Sequence, residues 1–333
     1  MTILLAMDQF DNSTNGTTVS ARRFAEQLRL RGHTVRVIGT GSPGPDKFVL
    51  PRKNIPLVSA VAEKQGIVFA QPVKEVIRSA LQGVDVVHLY LPFPMEKAVA
   101  EEAEKMGIPR LAAYHLQAEN ITYFIGLGKS RLAARLLYRF FYRYFFRRFS
   151  HIHCPSQFIA DELAYYGFRA SFHVISNGIS PDFTYQTPVP HEGFHILMTG
   201  RLAPEKRQDV LLKAVRLSKY RDSIHLWFAG GGPLRKKYGR MGKKLPNPPV
   251  FFRFGPNSEL LERMARCDLY VHTSEVEIES LACMEGFAAG LVPLIANART
   301  SATRYFALDS RSLFEAGNPQ DLAEKIDWWI EHP

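Results

Sequence analysis

The chain has 333 residues, 42 Lys+Arg against 32 Asp+Glu, 46% hydrophobic and 22% charged residues, with 23 Gly and 21 Pro. At roughly 100–200 residues per domain this length predicts two domains, and the composition excludes wholesale disorder, collagen and coiled coil. The formal net charge of +10 is uneven, since residues 1–190 hold 22 basic and 15 acidic side chains while residues 191–333 hold 20 and 17. A basic surface implies an anionic partner: nucleic acid, phosphorylated metabolite or acidic lipid.

In chain order, Ile3 to Met7 is a short apolar run, followed by a polar loop from Asp8 to Thr18 that contains Asn15-Gly16. Val19 to Arg31 carries Val19, Ala21, Phe24, Ala25 and Leu28 at helical spacing, and Gly32 ends it, because glycine tolerates the left-handed position past a helix. His33 to Ile38, Val84 to Leu89 and Arg110 to Tyr114 are further strands, with a helix from Glu96 to Met106. The segment Tyr185 to Gly193, with two prolines and little apolar content, predicts a linker. Beyond it the alternation restarts: Phe194 to Thr199, Ser223 to Ala229, Pro249 to Phe254, Leu269 to His272 and Val292 to Ala296 are strands separated by helical stretches. The expectation is two doubly wound α/β domains, residues 1–186 and 187–333, facing a cleft at the carboxyl ends of their strands.

The three cysteines, Cys154, Cys267 and Cys283, form no C-x-x-C pair, which fits a reducing compartment better than a disulfide framework or zinc ribbon. The first residues lack a basic n-region and their apolar run is short for a signal peptide. No apolar stretch approaches the ~20 residues of a spanning helix. The expected location is cytoplasmic, soluble or peripheral at a membrane.

Several constellations carry chemistry. In GRLAPEKRQDVLLKA, Gly200 to Ala214, a strand end is followed by Arg201 and Lys206 and then by a helix from about Gln208. A planar guanidinium fork and a compact ammonium, with helix N-terminal amides beyond, suit a diphosphate; the alternative is a solvated basic turn. In SEVEIESLACMEGFAAGLVPLIA, Ser274 to Ala296, Glu277 lies in a loop and Glu285 in the helix that begins near Ser280. Two carboxylates so placed can accept hydroxyl pairs from different parts of one ligand, such as a sugar and a ribose, while the amides around Glu279 to Ala282 favour phosphate. The alternative for Glu275, Glu277 and Glu279 is stabilisation of the helix dipole. FAGGGPLRKK, Phe228 to Lys237, is expected to use its glycines for tight packing of a turn. His115 follows a strand at its carboxyl end, where ligand contacts gather, although a structural histidine is the plainer alternative. His151 and His153 share one strand face, but without further ligands at zinc spacing no metal is expected.

From Lys129 to Phe149, Arg131, Arg135, Arg139, Arg143 and Arg147 recur every fourth residue among Tyr138, Phe140, Phe141, Tyr144, Phe145 and other aromatics, with no acidic residue. This pattern predicts either a helix lying in an anionic membrane interface or a helix that packs its aromatics on the core and exposes its arginines.

Taken in order, these elements resemble the retaining glycosyltransferases of family 4, which have the two-domain GT-B fold. The likeness rests on GRLAPEKRQDVLLKA, the Glu277–Glu285 pair of an E-x7-E motif and ISNGISPDF (Ile175 to Phe183). CPSQFIADELAYYG, FAGGGPL, CDLYVHTSE, Asn15-Gly16 and RGHTVRV add to it. The resemblance implies a nucleotide-sugar donor. Arg201 and Lys206 would bind its diphosphate and Glu285 its ribose, while Glu277 with the following Ile278, Glu279 and Ser280 would hold the sugar. Gly16 would admit the diphosphate to the first loop and His115 would contact the transferring sugar. It implies no cofactor and no essential metal, the two cations serving in its place. The tail Gly290 to Phe314 with the basic aromatic helix looks most like diacylglycerol glucosyltransferases, which move glucose from UDP-glucose to a lipid at the cytoplasmic leaflet. Two departures stand out. Glu279 occupies a position usually aromatic, and the sequence ends soon after Trp328-Trp329, where family members commonly continue with a helix crossing back to the first domain. A soluble or polysaccharide acceptor, an epimerase on the same fold and a basic nucleic-acid-binding protein are the alternatives; no nucleic-acid module is visible, so no nucleic-acid partner is expected.

Overall fold

The computed structural model describes residues 1–333 apart from 13–15, 57, 64, 65, 129, 254 and 333. Expectations at Asn15, Lys129 and Phe254 therefore lie outside the described residues. The chain divides into two compact units, one of residues 1–118 with 130–177 and one of residues 119–129 with 178–333.

The first unit runs β1 (Thr2–Ala6), α1 (Gly16–Leu30), β2 (Thr34–Gly39), β3 (Lys47–Val49), β4 (Arg52–Lys53), α2 (Val58–Glu63), β5 (Phe69–Ala70), α3 (Lys74–Leu81), β6 (Val86–Leu89), α4 (Pro94–Lys105) and β7 (Arg110–Ala113). After α5 (Ala118–Phe124) it continues with α6 (Arg131–Tyr144), β8 (His151–Cys154), α7 (Gln157–Tyr165) and β9 (Ser171–Val174). Seven strands form one sheet in the order β3-β2-β1-β6-β7-β8-β9, every pair parallel. β1 is buried because it lies mid-sheet under helices: Leu4, Leu5 and Ala6 are wholly enclosed, as parallel strands covered on both faces require. Ala21, Ala25 and Leu28 of α1 pack on Ile3, Leu5 and Val35, the face their spacing predicts, and Gly32 takes φ +83° past the helix end.

The second unit runs β10 (Phe194–Thr199), α8 (Gln208–Leu217), β11 (Ile224–Ala229), α9 (Arg235–Gly242), β12 (Val250–Phe252), α10 (Asn257–Met264), β13 (Leu269–His272), α11 (Leu281–Ala288), β14 (Val292–Asn297), β15 (Leu313–Glu315) and α12 (Pro319–Glu331). Its sheet is parallel with the order β12-β11-β10-β13-β14-β15. Successive residues of β10 serve opposite faces: Ile196 and Met198 pack with Val210, Leu211 and Leu322, whereas Leu197 packs with Leu260, Tyr270 and Cys283. Gly232, at φ +151°, lets the turn after β11 press on Leu202, whose backbone a Cβ there would meet at 2.5 Å. Gly232 has the packing role expected of the turn, whereas a Cβ on Gly231 would meet nothing within 4 Å.

The sequence placed the boundary at 186/187, but residues 178–189 pack on the second unit. Phe183 lies in its core, Gln186 N–H donates to Ala289 O (3.1 Å) and Val189 N–H to Ala265 O (2.7 Å). A proline-rich segment can satisfy its remaining amides on a neighbouring surface, so low apolar content did not make it a free linker.

The helix of the arginine series has two faces. Ala134, Tyr138 and Phe141 are buried along one stripe and Phe145 and Phe146 continue it past the helix end, with Tyr138 stacked on Tyr166 at 4.0 Å. Phe141 and Phe145 are therefore core residues, correcting their assignment to a membrane surface: spacings of three and four residues put them on the buried stripe. Tyr144 is half-buried. Arg131, Arg135, Arg139, Arg143 and Arg147 are exposed, and beside them so are Leu132 (69%), Leu136 (58%) and Phe140 (55%).

Candidate functional site

In the second unit the strand order reverses between β10 and β13, and the loops leaving the carboxyl ends of these two strands carry most of the predicted residues. The loops are laced together. Glu275 N–H donates to Glu205 O (2.9 Å) and Thr273 Oγ1 to Lys206 O (2.7 Å), while Ala302 N–H donates to Glu277 O (2.8 Å) from the loop after β14. This backbone scaffold brings Lys206 Nζ onto Glu277 Oε1.

Glu277 is buried, and His272 Nε2 also meets its Oε1, at 2.9 Å. Burial by itself would raise the Glu277 carboxyl, but the Lys206 charge and the His272 hydrogen bond outweigh it and hold the group down at about 2. The site therefore keeps an ionised carboxylate at neutral pH. Arg201 is gripped by Glu205 at 2.7 Å rather than lying open, and Arg207 binds Glu275 and Asp209 (3.1 Å). Tyr123, from the segment that joins this unit, donates to the other Glu275 oxygen.

Glu275, Glu277 and Glu279 are all buried. The dipole-only explanation for Glu275 and Glu277 fails, because both are engaged by cations from another loop. Ser280 sits at φ +86°, a region a non-glycine residue rarely adopts, and its Oγ accepts from Cys283 N–H (3.4 Å) at the start of α11. Ile278 is half-buried beside Glu279, and Glu285 is half-buried within α11.

The remaining predicted residues belong to the first unit. Gly16 opens α1, exposed, and a Cβ there would meet nothing within 4 Å. His115 follows β7 and is 5% exposed, and neither ring nitrogen has a hydrogen-bond partner among the described residues. It stacks on Tyr90 at 5.4 Å and stands edge-on to His153 at 5.6 Å, which in turn lies 5.6 Å from His88. Burial, then the neighbouring histidines, push His115 well below its usual range, so the imidazole is neutral. His153 Nε2 meets Ile175 O at 2.8 Å, and His151 instead pairs with His173 (2.9 Å), so the two imidazoles of that strand have separate partners. Among the described residues no group of three or more His, Cys, Asp or Glu side chains is placed to hold a metal ion, and no helix is long and apolar enough to cross a membrane.

Sequence reasoning missed His272, Glu205 and the Arg207–Glu275–Tyr123 cluster. His272 was within reach of the rule used for His115, since it also ends a central strand. Glu205 lies in the loop before α8, where no α-helical spacing applies, so its pairing with Arg201 had no local signal.

Comparison with known proteins gives the family and the fold. Glycosyltransferase Family 4 matches residues 14–183 and Glycosyl transferases group 1 matches residues 182–333. The chain is 23% identical to an alpha-monoglucosyldiacylglycerol synthase of Streptococcus pneumoniae, over 89% of this chain and 71% of that protein. It is 26% identical to a GDP-mannose-dependent alpha-mannosyltransferase of Corynebacterium glutamicum, over 89% of this chain and 72% of that protein. In structure it matches sucrose-phosphate synthase of Thermosynechococcus elongatus with a TM-score of 0.78 and 15% identity, covering 100% of this chain and 90% of that one. That likeness speaks for the two-domain Rossmann-like GT-B fold.

Proposed function

We infer, from the premise that the chain belongs to glycosyltransferase family 4 and is a nucleotide-sugar-dependent hexosyltransferase, that it moves glucose from UDP-glucose, with retention, to a membrane-associated acceptor such as diacylglycerol. The lipid acceptor is carried by one observation: α6 exposes Leu132, Leu136 and Phe140 beside an unbroken series of exposed arginines. Apolar side chains that insert at the acyl boundary, flanked by guanidinium groups for anionic headgroups, suit a helix lying in a membrane interface. The name of the pneumococcal relative supports the same acceptor, while the corynebacterial one makes GDP-mannose the competing donor.

In this reading Arg201 and Lys206 bind the diphosphate. Their carboxylate partners do not preclude it. Each cation has donors to spare, three on an ammonium and five on a guanidinium, so one can hold its carboxylate while another meets a phosphate oxygen. Negative charge builds on the departing nucleoside diphosphate, and donors already oriented there stabilise the transition state without reorganisation. These cations do the work a divalent metal does elsewhere, and no metal is required. Glu285 accepts the ribose hydroxyls. Glu277, with the chain from Ile278 through Glu279 to Ser280, receives the sugar. Gly16 admits the diphosphate, and the neutral His115 contacts the transferring hexose.

The test is transfer of labelled glucose to diacylglycerol in vesicles containing phosphatidylglycerol, with Leu132→Ser, Leu136→Ser and Phe140→Ser combined. The expected outcome is vesicle binding and lipid glucosylation reduced at least tenfold, with UDP-glucose affinity unchanged. Absence of vesicle binding by the unaltered protein overturns the lipid acceptor, and preference for GDP-mannose overturns the donor.

A further inference from the structure

We propose that His272 is a positioning residue for sugar recognition: its buried imidazole holds one oxygen of the Glu277 carboxylate so that the other is presented to the donor sugar. The inference rests on the assignment of Glu277 to the sugar.

His272 is the last residue of β13 and is fully buried. Its Nε2 lies 2.9 Å from Glu277 Oε1, and its Nδ1 faces the Tyr270 hydroxyl at 3.4 Å. That hydroxyl in turn lies 2.9 Å from Thr199 Oγ1 at the end of β10. The hydrogen-bond polarity of the chain follows from its terminus. An ionised carboxylate only accepts, so Nε2 carries the proton, and in the neutral imidazole Nδ1 is then the acceptor. In that tautomer the Tyr270 hydroxyl can donate to Nδ1 while its oxygen accepts from the Thr199 hydroxyl. The series ties the imidazole to strands on both sides of the strand-order reversal.

Lys206 reaches the same oxygen, but it makes a different contribution. An ammonium on a four-carbon stem is a point charge with three rotatable donors, and it defines no plane. The imidazole N–H is a single in-plane donor fixed to a central strand. Lys206 thus supplies charge and His272 supplies direction. Both bonds converge on Oε1, and Oε2 lies outside them. An acceptor held this way can select a sugar hydroxyl by position, the kind of polar contact that discriminates most strongly between related substrates.

The experiment measures calorimetric affinity for a nucleotide sugar and for its bare nucleoside diphosphate, using UDP-glucose with UDP and GDP-mannose with GDP on the intact chain. For whichever pair binds, His272→Leu is expected to weaken the nucleotide sugar roughly 10–100-fold, the range for a lost hydrogen bond to a charged group, and the diphosphate less than twofold. His272→Gln, which retains an N–H for the carboxylate, recovers most of the loss. Tyr270→Phe, which removes the hydroxyl that faces Nδ1, shows a smaller loss of the same kind. In a Glu277→Ala background His272→Leu adds nothing, since a residue acting through Glu277 has nothing left to position. If His272→Leu does not fold, as read by far-ultraviolet circular dichroism, the glutamine and phenylalanine variants decide alone.

Equal weakening of both ligands, unchanged sugar binding, or an additive loss in the Glu277→Ala background overturns the proposal. If Glu277→Ala selectively impairs sugar binding but the His272 and Tyr270 variants do not, His272 fails and the sugar assignment of Glu277 stands. If no nucleotide sugar binds the intact chain, the donor site itself falls, and this inference with it.

Discussion

The two units meet the same topological opportunity with opposite chemistry. In each, a parallel sheet reverses its strand order, between β1 and β6 in the first and between β10 and β13 in the second. In the second unit the loops beyond that point are filled with ion pairs: Lys206–Glu277, Arg201–Glu205 and Arg207–Glu275. In the first, His88, His115, Tyr90 and His153 form a buried cluster held away from charge, with His88 pushed down to about 3 by burial and the neighbouring His153. Glu96 leans the same way, since burial and the nearby Asp8 push its carboxyl well above its usual range, while Asp11 at the rim stays paired with Lys47 (2.6 Å). One crevice keeps charges by pairing them and the other suppresses them by desolvation. The first arrangement suits a diphosphate and the second a neutral hydroxyl or sugar.

The sharpest way to break this contrast is to unpair the charged crevice. Glu277→Ala leaves Lys206 and His272 facing no acceptor in a buried setting and is expected to cost about 3–5 kcal/mol, read by urea unfolding at pH 7. The native Glu277 carboxyl lies below its unfolded value, so its stabilisation is complete above about pH 4.5 and is lost as pH falls toward about 2. A variant as stable as the parent at pH 7 would mean that the pairing contributes nothing.

The neutral crevice has the same sign but an earlier window. His88 resists protonation in the fold, so the unfolded chain takes up a proton first, and stability declines as pH drops below about 6.5 toward 3. By pH 4.5 this one residue is expected to cost about 3 kcal/mol relative to pH 7. All three tryptophans, Trp227, Trp328 and Trp329, lie in the second unit, so their fluorescence reports that unit while circular dichroism reports both. On acidification from pH 6.5 to 4.5 the dichroism transition should precede the fluorescence transition, and His88→Leu should narrow the gap. Coincident transitions in the parent would contradict the contrast.

The smallest expected effect concerns Ser280. Glycine there relieves the φ of +86° at the loss of one weak cap contact, for a net gain of about 0.5–1 kcal/mol in thermal unfolding. Destabilisation would show that the cap matters more than the strained backbone.

Much of this was legible in the sequence. The central strands β1, β2, β6, β10, β11 and β13 are apolar runs bounded by turn residues, and α1 and α8 carry apolar stripes at helical spacing, because burial on a sheet imposes those periods locally. The short edge strands β3, β9 and β15 were not, since three or four partly exposed residues carry too little pattern, although the edge strand β12, with Val250, Phe251 and Phe252, was apolar enough to be read. Arg201, Lys206, Glu277 and Glu285 were singled out from their positions in two strand–loop–helix segments. The bonds they make were not, because Lys206 and Glu277 are far apart in the chain.

What the sequence by itself determined is the order of elements and motifs, hence the family and the doubly wound units. Periodicity and turn chemistry are local, and a motif keeps its meaning wherever the chain takes it. The tertiary structure alone decided that Phe141 faces the core while Phe140 faces solvent, that residues 119–129 join the second unit, and that His272 backs Glu277. Burial and pairing arise only when distant segments approach. Desolvation and charge then act on whichever groups that approach has brought together.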